Sequence, residues 1–252
     1  MSEKVELPFD FSKRKLFIAL PVYDYKLNVK TALAVGGLLQ QAMRYNLEVV
    51  TGYVGGCSII SVARNILVRE FLSTDCTDLM FIDSDISFTP TDVLRLLAHT
   101  TNRDIVGGVP PSRQKEKYYL MMLDETNKKL TVDGLGLLKA RRIATAFMMI
   151  RREVVSTLID AHPEWEYKDA YSNKRIHALF DFSLTGEGYI GEDFLFCDRA
   201  REHGYSVWID PTINLGHMGV KEYEGDFQGE YLFNRIKKED YTGDDSLMNS
   251  AA

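Results

Sequence analysis

Between Lys15 and Val109, blocks of consecutive apolar residues alternate with stretches whose apolar positions recur every three to four residues. The first pattern belongs to strands buried on both faces and the second to amphipathic helices, so together they predict a sheet with crossover helices. Strands are expected at 16–22 (LFIALPV), 47–53 (LEVVTGY), 77–83 (TDLMFID) and 104–109. Helices are expected at 29–45 and 58–72, the second with apolar residues at 59, 62, 63, 66 and 67. A third helix, running to about Thr100, signals its own start: Thr89 suits the cap, Pro90 the first turn, and Asp92 completes a Thr-x-x-Asp box.

Beyond Pro110 and Pro111 the pattern loosens. Residues 118–133 (YYLMMLDETNKKLTVD) have strand composition on both sides of a turn centred on Asn127. A buried strand at 143–150 (IATAFMMI), a helix at 152–161, a polar and aromatic loop at 162–175, a strand at 178–182, a helix at 192–203 and a strand at 205–209 follow. Residues 227–240 read as an amphipathic helix or a lid, and 241–252 as a frayed tail. The pattern contains no internal repeat and predicts one α/β domain.

With 45% hydrophobic and 26% charged residues, the composition excludes a disordered or low-complexity chain. Thirty Lys and Arg against 36 Asp and Glu leave a net charge of −6, which argues against a broad basic surface for nucleic acid. The loop carrying Arg113, Lys115 and Lys117 is the local exception, a contact for a phosphorylated or polymeric partner unless it is simply solvated. The longest charge-free stretch, 49–63, is too short for a membrane crossing and is interrupted by glycine and serine. Its opening is polar, and Cys57, Cys76 and Cys197 form no CxxC or similar pair, so a reducing cytoplasm is the expected compartment.

The richest candidate for chemistry is LMFIDSDISF, in which a buried strand ends in Asp83, Ser84 and Asp85 just before a capped helix. In open α/β sheets ligands bind beyond the carboxyl ends of the strands. Two carboxylates there raise each other's pKa unless something positive neutralises them. Mg²⁺ or Mn²⁺ suits that task, because such ions need only one or two protein carboxylates and share their remaining sites with water and diphosphate oxygens. The alternative is that both aspartates merely solvate a turn.

Gly186, Gly188 and Gly191 match GxGxxG, with Asp210 about where a dinucleotide-binding acid would lie. That reading is rejected, because the next helix opens with Glu192 and Asp193, which would repel a pyrophosphate. A carboxylate at a helix amino terminus is instead held ionised, which makes Asp193 a candidate general base or else a first-turn acid with a structural role. His217, between Gly216 and Gly219, is either a hydrogen-bonded structural residue or a further metal ligand. Arg64 and Asn65, just after VGGCS, either face the same cleft or lie on a surface with ion pairs such as Arg69 with Asp75.

Taken in order, the opening strand LFIALPVYD, the ARN helix, the DxD of Asp83–Asp85, ATAFMMIRRE, the Glu192–Asp193 pair and the late His217 resemble a glycosyltransferase of the GT-A fold. The size and style are similar to small glycosyltransferases encoded by bacteriophages and large viruses. The resemblance implies a mixed Rossmann-like sheet flanked by helices, with a nucleotide-sugar-binding half at 1–109, an acceptor and metal-completing half at 110–225, and a C-terminal helix or lid at 226–252. It implies that Asp85 and His217 hold Mn²⁺ or Mg²⁺ against the donor diphosphate, with Asp83 on the ribose or the metal shell. Pro21, Asp24, Arg64 and Ser84 would surround the donor, and Ala144–Ala146 would lie beneath its sugar, where many relatives carry glycine. Asp193, with Glu192, would serve the acceptor, which could be a glycan, a protein, a small metabolite or a hydroxylated DNA base.

Two other readings share these residues: a Mg²⁺-dependent nucleotidyltransferase, and a binding module without catalysis. The first is disfavoured by the lack of a glycine-rich, Lys-bearing phosphate loop near the first strand. A phosphatase of the haloacid dehalogenase type also owns a DxD, but after its first strand, whereas this one follows the third.

Overall fold

A computed structural model describes residues 9–114, 118–126, 129–186, 188–219 and 221–232. Lys115, Lys117, Asn127 and the segment 233–252 lie outside the described residues, and with them parts of the expected basic loop, the turn, the lid and the tail.

The first half follows the alternation read from the sequence. β1 (Lys15–Val22), α1 (Val29–Arg44), β2 (Glu48–Gly55), α2 (Ile60–Leu72) and β3 (Asp78–Ile82) are joined by a two-residue strand, β4 (Ile86–Ser87), to α3 (Pro90–His99) and β5 (Ile105–Gly107). The start of α3 is the expected box: Asp92 accepts the Thr89 backbone N–H at 2.7 Å, and Pro90 opens the first turn.

The second half is built of shorter pieces. Strands β6 (Met121–Leu123), β7 (Glu125–Thr126), β8 (Lys129–Leu130), β9 (Leu138–Ile143) and β10 (Phe147–Arg151) lead into α4 (Arg152–Ala161). Two small hairpins, β11 (Glu166–Lys168) with β12 (Arg175–His177) and β13 (Ser183–Thr185) with β14 (Gly188–Ile190), precede α5 (Glu192–Glu202). β15 (Val207–Ile209), β16 (Gly216–Met218), β17 (Glu222–Glu224) and a short π-helical turn at Phe227–Leu232 complete the described chain.

Eight strands make one mixed sheet in the order β2-β1-β3-β10-β5-β15-β9-β6. β1, β2 and β3 are mutually parallel, while β10 runs antiparallel between β3 and β5. Successive β1 side chains point to opposite faces, as a strand requires. Leu16, Ile18, Leu20 and Val22 join the layer under α1 and α3, whereas Phe17 and Ala19 join the layer with α2, α4 and α5. The architecture is therefore α/β, one large mixed sheet with helices on both faces and smaller sheets beside it. No helix among the described residues is long and apolar enough to cross a membrane.

Two expectations need correction. The block 143–150 is not one strand: Ala144–Ala146 form a break between β9, which borders β15, and β10, which borders β3. The expected strand at 178–182 is irregular, since Leu179 and Phe180 are buried as core while the pairing strand lies earlier, at Arg175–His177. Of 227–240, the described part, Phe227–Leu232, is helical, and the rest lies outside the described residues.

Because β1 stands between β2 and β3, the connection through α1 passes one face and the one through α2 the other. The loops after β1 and β2 therefore diverge and leave a crevice at the carboxyl ends of the strands, beside the end of β3. Pro21, Tyr23 and Asp83–Asp85 line it.

Candidate active site

Two adjoining hollows open at these strand ends. One, of ≈ 330 Å³, is walled by Pro21, Val22, Tyr23, Val54 and Ile60 and floored by Ser84 and Asp85. The other, of ≈ 450 Å³, includes Arg64, Ala144, Ala146, Asp193 and His217. Asp83 and Arg113 line both and mark their junction. A larger hollow of ≈ 570 Å³ lies at the β6 edge among Met121, Asp124, Arg141 and Arg201, and none of the expected site residues reaches it.

Asp85 and His217, 132 positions apart in the chain, meet because β16 pairs with β4. The register sets His217 opposite Ile86 and Gly216 opposite Ser87, and the Met218 N–H donates to the Asp85 carbonyl at 2.7 Å. A Cβ at 216 would lie 2.2 Å from the Ser87 hydroxyl, so a larger residue would have to displace that side chain from its bond to Glu222. His217 Nε2 faces Asp85 Oδ2 at 3.5 Å, while its Nδ1 lies 2.9 Å from the Pro111 carbonyl. A carbonyl only accepts, so Nδ1 donates, and in the neutral ring Nε2 turns a lone pair towards the carboxylate.

Arg113 also reaches Asp85, its Nη1 donating to Oδ2 at 2.8 Å and to the Met218 carbonyl at 3.3 Å. Burial alone would raise the Asp85 carboxyl; the hydrogen bond and charge that His217 gives when its ring is protonated, with the Arg113 guanidinium, outweigh it and hold the group below the usual carboxylate range.

Asp83 is placed differently from Asp85. Its N–H donates to the Ala146 carbonyl at 2.9 Å, and its carboxylate receives Arg64 Nη2 at 3.2 Å. Arg64, only 4% exposed, spends its other arm on Glu192, with Nη1 to Oε1 at 2.9 Å. A buried guanidinium thus ties the turn after β3 to the first residue of α5. Asn65 beside it exchanges two hydrogen bonds with the Phe180 backbone and pins the irregular stretch at 178–182.

Asp193 lines the larger hollow from the first turn of α5, with Oδ1 accepting its neighbour's Phe194 N–H at 2.8 Å. Burial, then the adjacent Glu192 charge, pushes its carboxyl up to about 6, while Arg64 pulls the other way. An acid of that strength is suited to exchanging protons near neutral pH.

Of the residues implied by resemblance, Asp85 and His217 face one another, Asp83, Ser84 and Pro21 line the smaller hollow, and Ala144 and Asp193 line the larger. Arg64 lines the larger hollow rather than the smaller, and Glu192 is turned to Arg64. Asp24 does not line either hollow: its carboxylate accepts the Lys26 N–H at 3.1 Å. Asp210, the acid of the rejected dinucleotide motif, is buried among Arg95, His99 and Thr212. Those partners overcome the effect of burial and bring it down to about 2. The expected Arg69–Asp75 pair is replaced by Lys15 on Asp75 at 2.5 Å.

For a divalent cation, Asp85 and His217 offer one carboxylate oxygen and one imidazole lone pair directed at the same point. The described residues contain no group of three or more His, Cys, Asp or Glu arranged to hold a metal. Two protein ligands fit Mn²⁺ or Mg²⁺ when substrate phosphates complete the shell.

No family model and no curated protein matches the chain. Among solved structures it is similar to A197 from STIV, at 17% identity over 82% of this chain and 86% of that one, with a TM-score of 0.47. It is similar also to GalNAc-T7 solved with UDP, GalNAc and Mn²⁺, at 11% identity over 82% of this chain and 44% of that one, TM-score 0.46. A third is S. aureus TarS 1–349 in complex with UDP-GlcNAc, at 13% identity over 78% and 56% of the two chains, TM-score 0.43. The chain thus spans about half the length of the last two.

Proposed function

We propose that this chain is a metal-dependent glycosyltransferase of the GT-A type, moving a sugar from a nucleoside-diphosphate sugar to an acceptor hydroxyl. The observation that carries the reading is the meeting of Asp85 and His217 beside the junction of two hollows, one of which also contains Asp193. The smaller hollow, with its Pro21, Val54 and Ile60 walls and exposed Tyr23, takes the nucleoside. The larger takes the sugar and the acceptor, with the small side chains of Ala144 and Ala146 leaving room above the break between β9 and β10.

Cleaving the sugar–phosphate bond builds negative charge on the departing diphosphate at the junction. Mn²⁺ or Mg²⁺ on Asp85 and His217 supplies Lewis-acid charge there when bound. Arg113, already at the junction, is positioned to give its guanidinium to a phosphate oxygen. Asp193 takes the proton from the attacking hydroxyl, a contribution of about 10²- to 10⁴-fold in rate. Glu192 acts at one remove, holding Arg64 and through it the turn of Asp83.

The test is a panel of nucleotide-sugars with and without Mn²⁺ or Mg²⁺, read first as thermal stabilisation and then as release of the nucleoside diphosphate. The expected result is one donor class whose stabilisation requires the cation and whose turnover requires an acceptor. Pyrophosphate release from a nucleoside triphosphate, or saturable binding without turnover even to water, would overturn the reading in favour of nucleotidyl transfer or a binding module.

A further inference from the structure

Away from the cleft, the carboxyl ends of α4 and α5 converge on two imidazoles. His162 is the C-cap of α4 and His203 the C-cap of α5, and their Nε2 atoms lie 3.2 Å apart. The other nitrogen of each ring is committed. His162 Nδ1 is 2.8 Å from the Glu164 carboxylate, and His203 Nδ1 is 2.8 Å from the Arg199 carbonyl.

Those oxygens accept, so both Nδ1 atoms donate. In two neutral rings the facing Nε2 atoms then both present lone pairs, and no N–H···N bond joins them. Something positive belongs in the gap. The surroundings agree, because two helix carboxyl ends, each carrying partial negative charge, point at it. Trp165 stacks on the His162 ring at 3.8 Å between centroids and fixes its plane.

We propose that His162 and His203 form a two-imidazole site for a borderline divalent transition metal, with Zn²⁺ as the type and water in the remaining positions. A tetrahedral ion with Zn–N bonds of about 2.0–2.1 Å holds two nitrogen ligands about 3.3 Å apart, close to the separation found. Ligating histidines typically donate their second N–H to a carboxylate or a backbone carbonyl, which is the arrangement of both rings here. The site differs in kind from the Asp85–His217 pair, whose carboxylate and substrate oxygens suit harder ions. It clasps the far ends of α4 and α5, about 15 Å along α5 from Glu192 and Asp193.

The experiment uses the full chain, stripped with chelator and titrated with ZnCl₂ by calorimetry, in the wild type and in a His217→Ala background that removes the cleft imidazole. One ion per chain is expected in that background, bound at least tenfold more weakly after either His162→Ala or His203→Ala and not displaced by excess MgCl₂. Circular dichroism checks that the variants are folded. Should either fail to fold, X-ray absorption at the zinc edge of the wild type replaces the comparison, with two imidazoles at about 2.0 Å expected. Absence of uptake, uptake unchanged in the double His162→Ala, His203→Ala variant, or a zinc spectrum without imidazole scattering overturns the site.

Discussion

His217 presents Nε2 to Asp85, 3.5 Å away, because the Pro111 carbonyl has claimed its Nδ1. The tautomer is thus set from outside the pair, and with the ring neutral a lone pair faces a carboxylate. Asp85→Asn keeps the shape and removes the charge. It is expected to abolish cation-dependent donor binding and transfer while leaving the melting temperature within a few degrees of wild type. Differential scanning fluorimetry with and without Mn²⁺ checks both halves, and an Asp85→Asn enzyme that still requires Mn²⁺ would refute the ligand assignment.

Arg113 competes for the same carboxylate. Its guanidinium is half-exposed on a 2.8 Å bond to Asp85, a class of pair worth about 0.2–1 kcal/mol. Removing it by Arg113→Gln should therefore strengthen Mn²⁺ binding to the free protein by roughly 1.5- to 5-fold. The same change should weaken binding of the donor diphosphate. Opposite signs for the two ligands, measured by isothermal titration, distinguish this role from that of a solvated loop residue, which would move neither.

Arg64 carries a different load, since its buried guanidinium neutralises Asp83 and Glu192 together. Arg64→Met fills the space and leaves both carboxylates without their cation, at an expected cost of about 3–5 kcal/mol. At roughly 2–4 °C per kcal/mol for a chain of this size, the melting temperature should fall by about 6–20 °C. A surface ion pair, the bland sequence reading of this arginine, predicts almost no change.

How far the sequence reaches depends on how local each interaction is. β1 to β3 and their helices were legible because continuous apolar runs and three-to-four spacing report burial within a few residues. β9 was missed because LKARRI carries three basic residues, of which Lys139 and Arg142 find Asp124 and Asp198 only in the folded chain. β4 and β16 are two and three residues long and have no period to read. Their pairing brings residue 86 beside residue 217, so the meeting of Asp85 and His217 was reachable only by resemblance. Arg113 was visible as a charge in a loop, while its partner 28 positions earlier was not. For Glu192, the helix-start signal located the residue but gave no hint that Arg64 would occupy its carboxylate.

Asp193 gives a prediction in which activity and stability move in opposite directions. Its carboxyl, near 3.8 in the unfolded chain, stands at about 6 in the fold because burial and then Glu192 penalise the charge. Between those values the folded state binds the extra proton, so this group's contribution to stability falls as pH rises from about 4 to 6 and stays at its least favourable above. The cost of holding it ionised is of order 2–3 kcal/mol. Asp193→Asn should therefore be more stable than wild type at pH 8, with the gain shrinking towards pH 4, as read from urea midpoints. A general base must be ionised, so wild-type kcat/KM should rise with pH and level off above about 6. The variant should lose about 10²- to 10⁴-fold in rate together with that acid limb. If Asp193 were only a first-turn helix acid, the stability change would be the same, but the rate and the acid limb would survive Asp193→Asn.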